Sequence, residues 1–178
     1  MDASLKLFTE KCFQDTSTAS ISQAANVGTG TLFCYFNSKE ELVNELYLEL
    51  KEEFAAFTEN GVWDQPTFKT QLKYIFDRRV QWHKNNPDKI KFMMQYSSSA
   101  LITKVTREKA LTRMRIVHEV VAKAVERGEL TTVSVDLVGA LISGYFHQAS
   151  VYINENAKAA DTKQWQEEAF NVLWKGLS

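Results

Sequence analysis

The stretch that decides the fold is residues 16–42, TSTASISQAANVGTGTLFCYFNSKEEL. Hydroxyl side chains at its start can accept the unpaired N–H groups of a first helical turn. We therefore predict that a helix begins near Ser17 or Thr18. Its inward side chains include two small alanines that let a second helix cross closely, and they are predicted to be Ile21, Ala24 and Ala25.

A sharp reversal is predicted next, because Asn26 adopts the left-handed backbone conformation more readily than any residue except glycine. Val27 is predicted to fill the crevice between two helices, the second of which begins at Gly28 or Thr29. This second helix is predicted to turn Leu32, Tyr35 and Phe36 inward. Its outward side chains are small, hydroxylic or aromatic, and they are Thr29, Gly30, Thr31, Phe33 and Cys34. The pattern predicts a helix-turn-helix with a surface suited to a nucleic-acid groove.

A longer helix is predicted after this pair. Ser38 and Glu41 have the S-x-x-E spacing of a capping box, in which the two side chains accept N–H groups at the helix start. Leu42, Leu46 and Leu50 then recur at helical spacing. We expect this helix to span residues 39–58 and to link the N-terminal segment to the rest of the chain.

These residues resemble the TetR family of one-component transcriptional repressors, whose pattern reads roughly T-x-x-x-I-A-x-x-A-G-V-S-x-G-T-L-Y-x-Y-F-x-S-K-E-x-L. The resemblance covers about the first fifty residues and is specific, because many unrelated constraints are met together. The matching positions are Ser17, Ile21, Ala25, Val27, Gly30, Thr31, Leu32, Phe33, Tyr35, Phe36, Ser38, Lys39, Glu40 and Leu42. Three departures are physically tolerable: Ser22, Asn26 and Gly28 stand where the family usually has Ala, Gly and Ser. Cys12 stands where Gly is common after the first helix, and it affects only the expected geometry of the loop there.

The resemblance implies an all-α protein of two domains. Residues 1–46 would form a three-helix helix-turn-helix DNA-binding domain. Residues 47–178 would form a helical bundle that binds a small-molecule effector and dimerises through its last two long helices. The implied function is that of a homodimeric repressor, which an effector releases from double-stranded operator DNA by tilting the fourth helix and changing the spacing of the recognition helices. Activation in place of repression also fits the sequence.

The resemblance also implies which side chains contact DNA. Phosphate contacts fall to Ser17, Thr18, Thr31, Phe33, Tyr35 and Lys39, and base edges to Thr29, Gly30 and Cys34. Phe33 stands where the family often has Tyr, so a hydrogen bond to phosphate is replaced by van der Waals contact. This set is poor for direct readout, and part of the specificity is expected from DNA shape. For each single residue, a role in capping, in the core or as a solvated charge is an equal alternative.

The charge of this segment argues against DNA binding. Residues 1–45 carry three lysines and six acidic side chains, a net charge of −3, whereas DNA-binding domains are usually basic. Glu40 and Glu41 belong to the first turn of the fourth helix, where they favour the helix dipole. Family members carry a basic lead-in before the first helix, so we expect the start of this chain to be truncated or shifted. Weak or salt-sensitive operator binding would follow.

Beyond residue 50 the chain reads as a series of amphipathic helices. The first two predicted helices run from Thr67 to a break at Asn85-Asn86-Pro87 and from Asp88 to Tyr96. One long helix is predicted from Thr103 to Glu126, ending at Gly128. The last two run from Leu137 to Ile153, after an opening at Val133-Ser134-Val135-Asp136, and from Thr162 through Trp174. The helix Leu137 to Ile153 carries small residues that permit close helix approach, so it is the predicted dimer contact; these are Gly139, Ala140, Ser143, Gly144 and Ala149.

An effector site is predicted among these helices, apolar with a few polar groups, as ligand sites tend to be. Its candidate residues are Phe76, Arg79, Met93, Tyr96, Met114, His118, Phe146 and His147. If Arg79 faces inward, an anionic effector is favoured, because a buried guanidinium needs a partner. For each of these residues, a place in an ordinary core is the competing interpretation and the commoner one.

Composition limits the other classes of protein. Two prolines, seven glycines and 44% apolar residues favour long helices around a real core. The two cysteines have no metal-binding spacing, no secretion signal precedes them, and no apolar run is long enough to cross a membrane, so a cytoplasmic protein without metal or cofactor is expected. An enzyme is disfavoured, because no nucleophile motif, H-E-x-x-H or phosphate loop is present. The alternative function is a helical ligand-binding or interaction module of the same fold that has lost operator binding.

Overall fold

Ten α-helices and no strand make up the part of the chain that the computed structural model describes, residues 1–131, 134–158 and 160–177. The helices are α1 Asp2–Glu10, α2 Thr18–Ala24, α3 Thr29–Tyr35, α4 Lys39–Glu59, α5 Phe68–Asn85, α6 Pro87–Ser97, α7 Lys104–Arg113, α8 Ile116–Glu126, α9 Val135–Asn156 and α10 Thr162–Leu177. The predicted all-α fold class is confirmed.

The helices group into two compact units, and the chain passes between them three times. The first unit contains Met1–Glu52 and Asn86–Arg113, and the second contains Glu53–Asn85 and the described residues from Met114 onward. Helix α4 begins in the first unit and ends in the second. This grouping reflects packing, whereas the predicted boundary after residue 46 concerns function and stays a prediction.

The core of the first unit is built around Phe8, which is fully buried on α1. Its ring lies 6.3 Å from the Phe92 ring and 6.2 Å from the Tyr96 ring, both on α6. Helix α4 is fastened within the same unit by Asn44, whose amide donates to the Leu101 carbonyl at 2.8 Å and accepts from the Thr103 N–H at 3.0 Å. These contacts hold α1, α4 and the α6–α7 segment together.

The core of the second unit lies between α5, α8, α9 and α10. The Phe76 and Phe146 rings stack at 5.0 Å, and the Phe170 ring stacks on Phe76 at 6.4 Å. Helix α8 contributes Val117 and Val121, which are fully buried. Each of the four helices thus places at least one large apolar side chain in a single core, whose burial is the main favourable term in folding.

Several helix ends follow the predicted local chemistry. The Ser17 hydroxyl accepts the Ser20 N–H at 3.0 Å at the start of α2, and Asn26 makes the turn with φ of 55°. Gly128 ends α8 with φ of 71°. The Ser38 hydroxyl caps Glu41 at 3.0 Å, but the Glu41 carboxylate accepts from the Asn37 N–H at 2.6 Å rather than from Ser38. The capping box is therefore shifted by one residue.

The predicted helix from Thr103 to Glu126 is wrong, because the chain leaves the helix at Met114 and Arg115. No proline or glycine marks this break. Helix α7 buries Thr106 and Ala110 in the first unit, whereas α8 buries Ile116 and its apolar neighbours in the second. The break therefore results from tertiary packing in two different units.

The predicted inward face of the helix-turn-helix is partly wrong. Ile21 and Leu32 are buried, but Ala24, Ala25 and Val27 are exposed and Ser22 is buried in their place. Ser22 tolerates burial because its hydroxyl donates to the Thr18 carbonyl at 2.9 Å. Tyr35 is 75% exposed, since α3 ends there and Phe36 has extended backbone. Val133, part of the predicted opening of α9, lies outside the described residues, while Ser134 caps Leu137 at 3.2 Å.

The loop between α4 and α5 gives a stability test at Gly61. This glycine has φ of 87°, and a Cβ there would lie 2.8 Å from the Tyr74 hydroxyl. Gly61→Ala is expected to lower the free energy of unfolding by about 1–2 kcal/mol, because L-residues are strained at positive φ. Chemical denaturation measures the change. Gly176→Ala is the matched control, since its Cβ would meet nothing within 4 Å; equal losses in both variants would contradict the prediction.

Candidate nucleic-acid interface and ligand site

Helix α3 presents a continuous exposed surface on the first unit. Leu32, with 9% of its surface exposed, anchors the helix, while Phe33 is 47% exposed and Tyr35 75% exposed. The predicted outward positions are confirmed as exposed, and they are Thr29, Gly30, Thr31, Phe33 and Cys34. Ser17 is exposed and Thr18 half-buried at the start of α2. The structure thus gives these residues the exposure that DNA contact requires, and their role in that contact stays a prediction.

The Lys39 side chain makes intramolecular hydrogen bonds. Its ammonium group donates to the Phe13 carbonyl at 2.6 Å and to the Thr16 carbonyl at 2.9 Å, and it lies 4.0 Å from the centre of the Phe13 ring. Lys39 therefore ties the turn before α2 to the start of α4. Its partners lie more than twenty residues upstream, so no local pattern in the sequence pointed to this contact.

The charge of the first unit differs from that of its N-terminal part. Residues 1–52 carry four lysines and eight acidic side chains, whereas residues 86–113 carry six basic and two acidic side chains. The two parts cancel, and the first unit has no net charge. An evaluation of residues 1–45 alone therefore exaggerates the repulsion that DNA would meet.

A buried arginine lies in the second unit. Arg79 on α5 is 4% exposed, and its Nη1 donates to the Ser143 carbonyl at 3.4 Å. Its guanidinium carbon lies 5.6 Å from the centre of the Phe54 ring and 5.7 Å from that of the Phe146 ring. No carboxylate pairs with it in the described part of the chain, and burial lowers its pKa to about 10. Arg79 is thus a buried cation at neutral pH.

Several polar atoms of the second unit are buried without a partner among the residues described. These atoms are Arg79 Nε, Ser143 Oγ, Ser150 Oγ and His118 Nδ1. Ser143 and Ser150 are seven residues apart and so share one face of α9 with Phe146. The His118 ring lies against Gly139, one turn before Ser143, where an added Cβ would come within 2.6 Å of it. Helices α5, α8 and α9 thus each place at least one such polar group in the core of the second unit.

The predicted effector residues do not all come together. Phe76, Arg79, Met114, His118, Phe146 and His147 belong to the second unit, whereas Met93 and Tyr96 belong to the first. Tyr96 packs with Phe8 and Phe92 in the core of that unit. His147 is exposed, with its ring 6.1 Å from the His83 ring. Sequence reasoning missed Phe54 and Ser150, and it treated Ser143 only as a small residue for helix contact.

Helices α9 and α10 share an apolar surface with a groove. The groove has a volume of about 410 Å³ and is lined by Tyr145, Gln148, Ala149, Tyr152, Ile153, Trp165, Glu168, Ala169 and Val172. Leu141, one turn before Tyr145, is 64% exposed, and Val172 is 66% exposed. Contiguous exposed apolar surface of this kind is typical of a protein interface.

The part of the chain that the structure describes has no helix that is long and apolar enough to cross a membrane. No group of three or more His, Cys, Asp or Glu side chains is placed there to hold a metal ion.

Comparison with known proteins agrees with the geometry of the first unit. Residues 1–46 match the family model of bacterial regulatory proteins of the tetR family. The chain is 24% identical to YhgD of Bacillus subtilis, an uncharacterized HTH-type transcriptional regulator, over 145 residues, which are 81% of this chain and 68% of the relative.

Solved structures share the fold over nearly the whole chain. A structure from Shewanella sp. PV-4, described as a tetR family transcription regulator, is 28% identical with a TM-score of 0.87, covering 99% of this chain and 94% of that one. FadR from Bacillus subtilis, solved in complex with stearoyl-CoA, is 17% identical with a TM-score of 0.77, covering 95% of each chain. At that identity, the second likeness concerns the fold alone.

The contacts of Lys39 predict a role in stability. Lys39→Met keeps the aliphatic stem but removes both hydrogen bonds to carbonyls, so the free energy of unfolding is expected to fall by about 1–2 kcal/mol. Denaturation without DNA measures this change. Lys6→Met is the control, because the Lys6 side chain is 73% exposed. A Lys39→Met variant as stable as the wild type would contradict this prediction.

Proposed function

We propose that this chain is a TetR-family transcriptional regulator and acts as a homodimeric repressor that a small effector releases from operator DNA. The observation that carries DNA binding is the surface of α3, where Leu32 anchors the helix and the neighbouring side chains stand exposed. The family match over residues 1–46 includes this helix.

We propose two kinds of DNA contact for this surface. Thr29, Gly30 and Cys34 would meet base edges in the major groove. The phosphate backbone would be contacted by Ser17, Thr18, Thr31, Phe33 and Tyr35. Lys39 would act mainly as a positioning residue, because its two hydrogen bonds to carbonyls hold α2 near the start of α4. Contact with phosphate, which the resemblance implies for Lys39, would require it to exchange these partners.

The proposed dimer forms through α9 and α10, with a second copy of the chain as the occupant of their apolar surface. Leu137, Leu141, Tyr145 and Tyr152 fall on one face of α9, and the first, second and last of these are more than half exposed. Burial of this face in a four-helix contact would remove it from water. A dimer also supplies two recognition helices for half-sites about 34 Å apart.

The effector response is proposed to pass through α4. This helix carries Lys39 in the first unit and Phe54 in the second. Phe54 packs on Trp82 at 4.9 Å and lies beside the Arg79 guanidinium. A ligand that displaced Phe54 would therefore act on the helix that fastens the DNA-binding helices, and it would favour an arrangement that releases DNA. The acyl-CoA complex of FadR supports an effector with an apolar body.

Operator binding is tested by a salt-dependent titration on the DNA upstream of the gene, with variants of α3. Saturable binding that weakens steeply with salt is expected. Phe33→Tyr should tighten binding about three- to tenfold, because the added hydroxyl can donate to a phosphate oxygen. Thr31→Ala should weaken binding by a similar factor.

The matched control for this titration is Thr112→Ala, which removes an exposed threonine hydroxyl from α7. No change in affinity is expected for this variant. Absence of saturable binding by the wild-type protein, or equal affinity for all variants, would favour a ligand-binding module that has lost its operator.

Dimerisation is tested by a charge on the exposed face of α9. Leu141→Glu should weaken self-association by at least about tenfold, because it would bury an unpaired carboxylate at the contact. Sedimentation equilibrium measures the change. Leu111→Glu on α7 is the control, since Leu111 is 67% exposed against 64% for Leu141. A dimer that persists in Leu141→Glu but dissociates in Leu111→Glu would place the interface elsewhere.

A further inference from the structure

The cluster around Arg79 contains more hydrogen-bonding capacity than the protein uses. The guanidinium is almost fully buried, its one hydrogen bond is 3.4 Å long, and its Nε has no partner among the residues described. The Ser143 and Ser150 hydroxyls are likewise buried without a hydrogen-bond partner among the residues described. Buried donors without acceptors destabilise a fold, and a buried charge without a counterion does so more strongly. These groups match a ligand that brings its own acceptor atoms and a negative charge.

We propose that the Arg79 cluster binds the carboxylate group of an apolar monocarboxylic acid, whose hydrocarbon part lies against Phe54, Phe76 and Phe146. This inference rests on the proposed function, because it names the chemical class of the effector that the second unit would bind. The carboxylate would accept from Arg79 and from the Ser143 hydroxyl. It would also supply the counterion that the described residues do not.

The charge of the cluster favours a carboxylate over a phosphate. Arg79 is the only Lys or Arg side chain among the described residues that falls in the buried class. One carboxylate neutralises one guanidinium, whereas a phosphate group carrying two charges would leave one of them uncompensated in an apolar environment. A guanidinium also matches the two oxygen atoms of a carboxylate in a bidentate geometry.

The surroundings of the guanidinium favour a ligand with an apolar body. The Phe54 and Phe146 rings flank the guanidinium, and the Phe76 ring stacks on Phe146. Phe76 and Phe146 are fully buried and Phe54 is 5% exposed. The body of a ligand bound here would therefore be surrounded by apolar side chains, which favours a hydrocarbon chain over a polar group. Phe54 also belongs to α4, so a ligand seated here would contact the helix through which release is proposed to pass.

Binding is measured by calorimetry on the full chain without DNA, so that the result does not depend on operator binding. The ligands are butanoate, octanoate and dodecanoate, with octanamide as the uncharged match and octanoyl-CoA as the thioester of the same acyl chain. At least one carboxylate is expected to bind, and its amide should bind at least about tenfold more weakly because the ion pair is lost.

Two variants locate the site. Arg79→Gln is expected to weaken carboxylate binding by at least about tenfold, and Ser143→Ala by about three- to tenfold. Arg115→Gln is the control, because it makes the same change at an exposed position of the second unit. Ser143→Ala removes only a hydroxyl that the described residues leave unpartnered, so it keeps the test decisive if Arg79→Gln does not fold.

The outcomes separate this inference from the proposed function. Binding by no carboxylate, equal binding of octanoate and octanamide, or unchanged binding in Ser143→Ala and Arg79→Gln would each overturn the carboxylate site. If octanoyl-CoA alone binds and releases DNA, the proposed ligand-responsive repressor stands while the carboxylate site fails. If octanoate binds through Arg79 but the chain does not bind DNA, the site stands and the proposed function fails.

Discussion

The exposed surface of α3 depends on one constraint, which is that two helices of seven residues cannot bury enough surface to stay folded by themselves. Helices of this length are marginal in water, and α2 and α3 bury only Ile21, Ser22 and Leu32 in their own spans. The remaining stability must come from α1, α4 and the polar contacts that join them. Lys39 supplies such contacts by donating hydrogen bonds to the Phe13 and Thr16 carbonyls in the turn before α2. The exposed surface of α3 therefore depends on contacts made outside α2 and α3.

Local chemistry made much of this fold predictable, because helix ends depend on a few neighbouring atoms. Ser17, Asn26 and Gly128 act as the sequence indicated, since a cap or a positive φ requires a particular residue type. The break at Met114 and Arg115 was not predictable in this way. It arises because the flanking helices are buried in different units, and no local residue marks it.

In the candidate sites, too, features set by neighbouring residues were predictable, whereas contacts between residues far apart in the sequence were not. The outward face of α3 followed from helical periodicity, and its exposure agrees. The partners of Lys39 lie far upstream, so its bracing role was not visible in any motif. For Arg79 the prediction was conditional on an inward side chain, and its burial beside Ser143 meets that condition. Met93 and Tyr96 fall in another unit because helical spacing fixes a face without fixing the neighbour that covers it.

The first unit is built from two segments that are separated in sequence by part of the second unit. This arrangement limits where the chain can be cut or exchanged with that of a relative. Residues 86–113 complete the first unit although they follow part of the second in sequence. During synthesis the first unit can therefore be completed only after residue 113 has emerged, when the whole of α5 has already been synthesised. By the same reasoning, an exchange of the first 46 residues between relatives would separate Phe8 from Phe92 and Tyr96. Recombination between relatives would therefore have to exchange residues 1–52 and 86–113 together, or new contacts between them would have to evolve.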